Sequence, residues 1–262
     1  MTDAPAVPDA GLGGRLLASY TLGLKLHLAG SKKYGYAVLV ALPALFAALW
    51  ALLAPPEVDG HAFYAEAVLS GFIFKLVLPL IGVLVGVGAI ANEKQNQTLP
   101  YLLVRPLPKP FLFLSRFASA LTISVLLAAV ALALPMLVLG MRGGGFFREA
   151  PAVLGWSLCA AGLALSAYAA IFVSAGAGVP HPTVFSLLYA FLWEAVLSGI
   201  QEEKIQLSRF VIVNAARGFL FENLARTPDF NVPEHPVLGI LAVTLLALVP
   251  GLLIFSNSGY SK

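Results

Sequence analysis

Charge is what this chain has least of. Only 11% of its 262 residues are Asp, Glu, Lys or Arg, where a soluble domain carries about 25%. With 59% hydrophobic residues and a mean hydropathy of +0.88, that deficit excludes an ordinary soluble globule and points to an integral membrane protein. A single cysteine excludes a disulfide framework, and Cys159, inside an apolar run, reads as a small packed hydrophobe. Gly-Lys never occurs as a dipeptide, so there is no GxxxxGK[ST] phosphate loop and no route by that motif to ATP hydrolysis. His27, His61, His181 and His235 lack metal-ligand spacing. Every aspartate lies outside the long apolar runs, against an intramembrane aspartyl protease, and no histidine sits at span depth to serve an intramembrane serine. A net charge of +3, dispersed along the chain, does not make a nucleic-acid surface. Thirty-three residues precede the first apolar run, whereas a cleavable signal consists of a short basic region directly before its apolar core, so none is expected. No catalytic residue and no directly bound metal or cofactor is expected.

What is there is a series of apolar runs. Residues 1–14, rich in Ala, Pro, Gly and Asp, read as a disordered tail. Residues 15–33 mix leucines with Arg15, Lys25, His27, Lys32 and Lys33, the composition of an amphipathic helix on an anionic membrane surface. A crossing needs about 20 apolar residues. Six segments qualify: about 34–54, 67–91, 117–141, 151–175, 183–200 and 237–255. The fourth and fifth are separated by the breaker cluster Gly176-Ala-Gly-Val-Pro-His-Pro182. Residues 201–236 are the longest polar stretch, amphipathic in places, and read as short helices on the surface or dipping back into the bilayer. The fold class is therefore all-α, a six-span transmembrane domain over 34–262. Gly82 and Gly86, spaced small-xxx-small, let another helix approach closely, for packing within the chain or for a dimer.

The polar interruption from Ala91 to Arg116 organises the rest. Thr98 is a reasonable N-cap, and Pro100 is tolerated in a first turn. Leu99, Leu102 and Leu103 fall at i, i+3 and i+4, one face of a helix that Arg105-Pro106 ends after about two turns. So short a helix is not stable alone in water. Its leucine face must rest on headgroups or dock into a partner, and the residues by themselves favour neither. The order Glu93, Thr98-Leu99, Leu102-Leu103, Pro106, then Lys109 and a new span, resembles the permease subunits of type-2 ATP-binding cassette exporters. Gln97 stands where that family usually has Gly, Lys109 where Arg is common, and Arg116 near the usual Lys.

The resemblance implies a connecting helix at 15–33 and a coupling segment at 92–113 that docks on a separate ATPase. Glu93, Thr98, Leu99, Leu102, Leu103, Arg105, Pro106 and Lys109 are its candidate coupling residues. It further implies a permease dimer, expected to be a homodimer, on two ATPase subunits that hold the ATP and Mg2+, with transport by alternating access. Six crossings place both termini on one side. That side carries Arg15, Lys25, Lys32, Lys33, Lys94, Arg105, Lys109 and Lys262, against Arg142 and Arg148 in the short loops opposite. The positive-inside rule makes it cytoplasmic, in a multi-pass protein of the cytoplasmic membrane. Drugs, lipids, polysaccharides and ions all move through such exporters, and nothing in the spans selects among them.

Two ionisable residues fall inside spans. Lys75 lies about 12 Å, and Glu194 about 9 Å, below the outer ends of the second and fifth spans. An unpaired charge there costs at least ~2–3 kcal/mol, so the two are expected to pair, as a static bridge or along a pathway. Glu93, at the C-terminal end of a helix where the dipole disfavours an anion, needs compensation from Lys94, Arg116 or a basic residue of the surface helix. Two other classes stay open, a secondary transporter or channel without an ATPase and a membrane scaffold for an assembly complex. Against the former, no pair of broken helices is evident.

Overall fold

A computed structural model describes residues 11–55, 60–91, 93, 107–141, 146–198, 211–226, 230 and 232–257. Every regular element among them is helical. Helix α1, Leu12–Leu28, follows Gly11 and ends at a turn where Gly30 takes a positive φ of 73°, a conformation that costs a glycine little. Helix α2, Lys32–Leu53, runs through Pro43 and stops just ahead of Pro55. Residues 60–87 form α3, which alternates between α-helical turns and two π-wound stretches, Tyr64–Val77 and Val83–Val87. Helix α4, Lys109–Gly140, opens behind Pro108 with Pro110 in its first turn, where the missing N–H is no loss. Helix α5, Phe146–Gly178, ends at the predicted breaker cluster. Helix α6 joins Pro182–Leu188 to the π-wound Tyr189–Val196. Two further helices follow, α7 at Ile212–Asn223 and α8 at Pro236–Asn257.

Five of these helices are long and apolar enough to cross a membrane: α2, α3, α4, α5 and α8. The expected fifth span is the one that falls short. The helix over Pro182–Val196 is apolar, but at 1.5 Å per residue it reaches only roughly 22 Å, against about 30 Å of hydrocarbon. Helix α4 starts eight residues ahead of the predicted third span, because the amphipathic stretch after Pro108 simply continues as helix.

Helices α3, α4 and α5 form the centre, and α2 and α8 flank them. The flanking helices turn Leu45, Leu49 and Leu52, and Leu245, Leu246 and Leu253, outward, as helices bordered by hydrocarbon do. Cys159 is exposed rather than packed in the core, since it falls on the outer face of α5. Helix α1 lies along the start of α4, and its innermost face is small and polar: Ser19, Gly23 and His27.

Gly82 and Gly86 seat α3 on α5. A Cβ at Gly82 would stand 2.7 Å from the Cβ of Tyr168, and one at Gly86 2.8 Å from the Cβ of Phe172. The small-xxx-small pair thus serves packing inside one chain. Adding a methyl group at either position overpacks a fully buried seam, which costs about 1–3 kcal/mol. Gly86→Ala should therefore lower the melting temperature in detergent by several degrees. Gly155→Ala on the same α5, where a Cβ meets nothing within 4 Å, should leave it unchanged or raise it; equal behaviour of the two variants would contradict the seam.

Candidate functional site

Two buried polar centres stand out, one just past the end of α3 and one around Glu194. The first borders the predicted coupling segment. Thr98, Leu99, Leu102, Leu103, Arg105 and Pro106 lie outside the described residues, but both flanks are visible. Glu93, past the end of α3, is 6% exposed and Arg116, two turns into α4, is 1% exposed. Arg116 Nη2 stands 2.6 Å from Glu93 Oε1. Of the compensating cations foreseen for Glu93, Arg116 is in contact with it, and Lys32 at the start of α2 adds attraction. The pair therefore joins the chain on either side of residues 94–106. Removing one member of such a pair leaves a buried charge uncompensated, at about 3–5 kcal/mol.

Helix α1 closes this centre from the side. The Ser115 hydroxyl donates to the Leu112 carbonyl at 2.7 Å, so the Ser19 hydroxyl, 2.7 Å away, donates to Ser115. Tyr20 donates to Thr122 at 3.0 Å. Gly23 rides directly over Ser119, and a Cβ there would lie 3.1 Å from Arg116 Nη1. His27 is buried one turn further on; burial, with Lys32 and Arg116 nearby, holds its imidazole down at about 4, so it stays neutral beside the guanidinium. No charge in the sequence marks this contact. Its signal was there as Ser19-xxx-Gly23-xxx-His27 facing Ser115-xxx-Ser119, two rows of small residues at helical spacing.

Lys109, the first residue of α4, reaches α8 and donates from Nζ to the Ser256 carbonyl at 3.4 Å. It joins the exit of the predicted segment to the end of the last helix.

The second centre surrounds Glu194 on α6, which is 0% exposed. Its Oε2 accepts from the Tyr168 hydroxyl at 2.8 Å and the Val213 N–H at 3.0 Å. Its Oε1 accepts from the Tyr189 hydroxyl at 3.1 Å and the Ile212 N–H at 3.3 Å. Lys75 is not among these donors. It is half-buried on the π-wound part of α3, and the carboxylate, already filled by two hydroxyls and two backbone N–H groups, has no lone pair left for an ammonium. Neither tyrosine was foreseen, because nothing local in sequence links Tyr168 to a residue 26 positions on.

Residues 24–193 match the family model described as ABC-2 family transporter protein. That stretch runs from α1 to the residue before Glu194, over half of the chain, and includes both flanks of the Glu93–Arg116 pair. No curated protein matches the chain.

Burial lifts the Glu93 carboxyl from about 4.5 to about 7, against the lowering pull of Arg116 and Lys32. The folded chain then keeps a proton that the unfolded chain releases between those values. Glu93 accordingly favours folding fully below about 4.5 and loses that contribution as pH climbs through about 7. The melting temperature of wild type minus that of Glu93→Gln should fall from about pH 5 to about pH 7 and level off above. His27 is common to both proteins and cancels. A difference that rises or stays flat over this window would contradict a buried, desolvated carboxyl.

Proposed function

Belonging to the ABC-2 transporter family, the chain is a multi-pass membrane component of an ABC transporter, and on that premise we propose that it is the six-span permease subunit of an ATP-driven exporter. The family implies an ATPase partner. Two ATPase copies would power two copies of this permease, and the short α6 would complete the sixth crossing. Both termini and residues 94–106 would face the cytoplasm, following the distribution of Lys and Arg.

The observation that supports this reading is the Glu93–Arg116 bridge. A two-turn docking helix can transmit force only if the chain on either side of it resists collapse. A buried ion pair across its two flanks, with α1 packed against the same residues, supplies that resistance. Displacement of the segment would then move the ends of α3 and α4 together, and with them α1 and, through Lys109, the end of α8. Leu99, Leu102 and Leu103 would form the docking face, with Glu93 and Lys109 orienting it. ATP binding and hydrolysis belong to the partner, and this chain converts them into alternating access.

Co-purification tests the assignment. The wild-type permease should bring down a soluble ATPase, and Leu102→Asp combined with Lys109→Glu should reduce that recovery at least tenfold while the permease itself remains folded. Undiminished recovery would remove the docking face from residues 99–109.

A further inference from the structure

Helix α3 carries a line of accessible residues that an ordinary α-helix would not present. Ala62, Glu66, Gly71, Lys75, Leu80 and Leu84 are exposed or half-buried, while Leu69, Ile73, Val77 and Ile81 are buried. The intervals along the accessible line alternate between i+4 and i+5. That is the period of the π winding over Tyr64–Val77, whose i→i+5 hydrogen bonds give about 4.4 residues per turn. At about 3.6 residues per turn, Glu66 and Lys75 would point to opposite sides. Side-chain packing follows the same period. The Phe46 ring of α2 stands 5.5 Å from that of Phe63 and 5.4 Å from that of Phe72. These two have the same spacing as Glu66 and Lys75, and one ring touches both only because that spacing returns to one face.

The line opens between two neighbours. Along one edge, Phe63 and Phe72 lie under Phe46, and Trp50 stacks on Phe63 at 4.0 Å, so α2 covers that side. Along the other, Ser70 accepts from Arg217 Nε at 2.6 Å, and α6 packs further down α3. Helix α2 packs on α4, α4 on α5 and α5 on α6, with no comparable packing of α6 on α2 among the described residues. The ring around α3 is therefore open where the line lies. Lys75 stands near the middle of the Tyr64–Val87 span, and Leu80 and Leu84 continue the line towards Glu93. A lysine at that depth is costly unless it faces a partner or a cavity.

We propose that Lys75 receives the acidic group of an amphipathic anionic cargo whose apolar body lies along Leu80 and Leu84. Charge complementarity selects this occupant. An ammonium set among apolar side chains offers donors and no acceptor, a match for a phosphate or carboxylate and a mismatch for a cation. Glu66, about two turns nearer the start of α3, repels an anion and so confines the acidic group to Lys75. The π winding turns the ammonium into the opening; wound as α, the same segment would point Lys75 away from the side that Glu66 faces. The cargo contact rests on the exporter reading; the accessible line does not.

Two measurements test it. In nanodiscs of zwitterionic lipid, on a Cys159→Ser background, Glu66→Cys, Gly71→Cys and Lys75→Cys should react with a small maleimide about tenfold faster than Ser70→Cys, Ile73→Cys and Val77→Cys. Fast reaction at 66, 70, 73 and 77, the α-helical set, would overturn the line. So would uniform protection, as a second copy seated there would give. In the assembled complex, dodecyl phosphate should stimulate ATP hydrolysis and dodecyltrimethylammonium should not. Lys75→Gln should raise the half-maximal concentration of dodecyl phosphate roughly tenfold, the loss of one charge-assisted hydrogen bond. Lys75→Arg should retain the response, and Lys75→Glu should transfer it to the cation. Equal stimulation by both amphiphiles, or a response untouched in Lys75→Gln, would overturn the anionic cargo. Dodecyl phosphate that binds the permease through Lys75 yet leaves hydrolysis unchanged would be a resident ligand, and would overturn it too. If no ATPase assembles with the chain, the exporter reading fails and the cargo contact with it, whereas the cysteine rates still decide whether the line exists.

Discussion

Two opposite charges, Glu93 and Arg116, are shut away from water where α3 ends and α4 begins. Such a pair is not a generous source of stability, because desolvation offsets most of its attraction. Its consequence is constraint. Neither charge can leave without stranding the other, so the chain before residue 94 and the chain after residue 106 hold one spacing. Burial keeps the neighbouring His27 neutral, with Lys32 and Arg116 acting in the same direction, and a Cβ at Gly23 would press on Ser119 and the guanidinium.

Between this centre and the one at Glu194 the bundle is apolar and close-packed. Gly82 and Gly86 bring the backbone of α3 onto Tyr168 and Phe172, and Tyr168 in turn holds Glu194. One aromatic residue thus touches both the glycine seam and the far carboxylate. A packed seam of this kind shifts between discrete arrangements more readily than it deforms, which would suit the relay of motion proposed for this chain. The polar groups mark where parts are held together, and the apolar middle keeps them in register.

Much of this was legible in the sequence, for identifiable reasons. Charge-free runs gave the long spans because hydrocarbon tolerates little else, and the need of Glu93 for a cation followed from its place at a helix end. Arg116 was one candidate beside Lys94 and the basic residues of the surface helix, and nothing in the sequence chose among them. Residues 24–193 carry the family's pattern, so the resemblance seen around Glu93–Lys109 extends across most of the bundle. The partner of Glu194 was not legible. Matching depths suggested Lys75, but depth along two helices says nothing about which faces meet, and the actual donors are hydroxyls and the backbone of a helix predicted only loosely. Helix α7 has enough charge to look like a surface element, yet Arg217 is spent inward on Ser70 and Phe230. Among the described residues α6 is shorter than a crossing needs, and the apolar composition of 183–200 gave no sign of it.

The most direct test of the clamp is a double-mutant cycle on Glu93→Gln and Arg116→Gln, read as ATP hydrolysis by the partner subunit in the complex. A clamp that acts as one unit predicts that either single substitution loses nearly as much as the double, a strong non-additivity of contacting residues. Losses that simply add would mean that the two residues act independently, and would contradict a clamp on the proposed coupling segment.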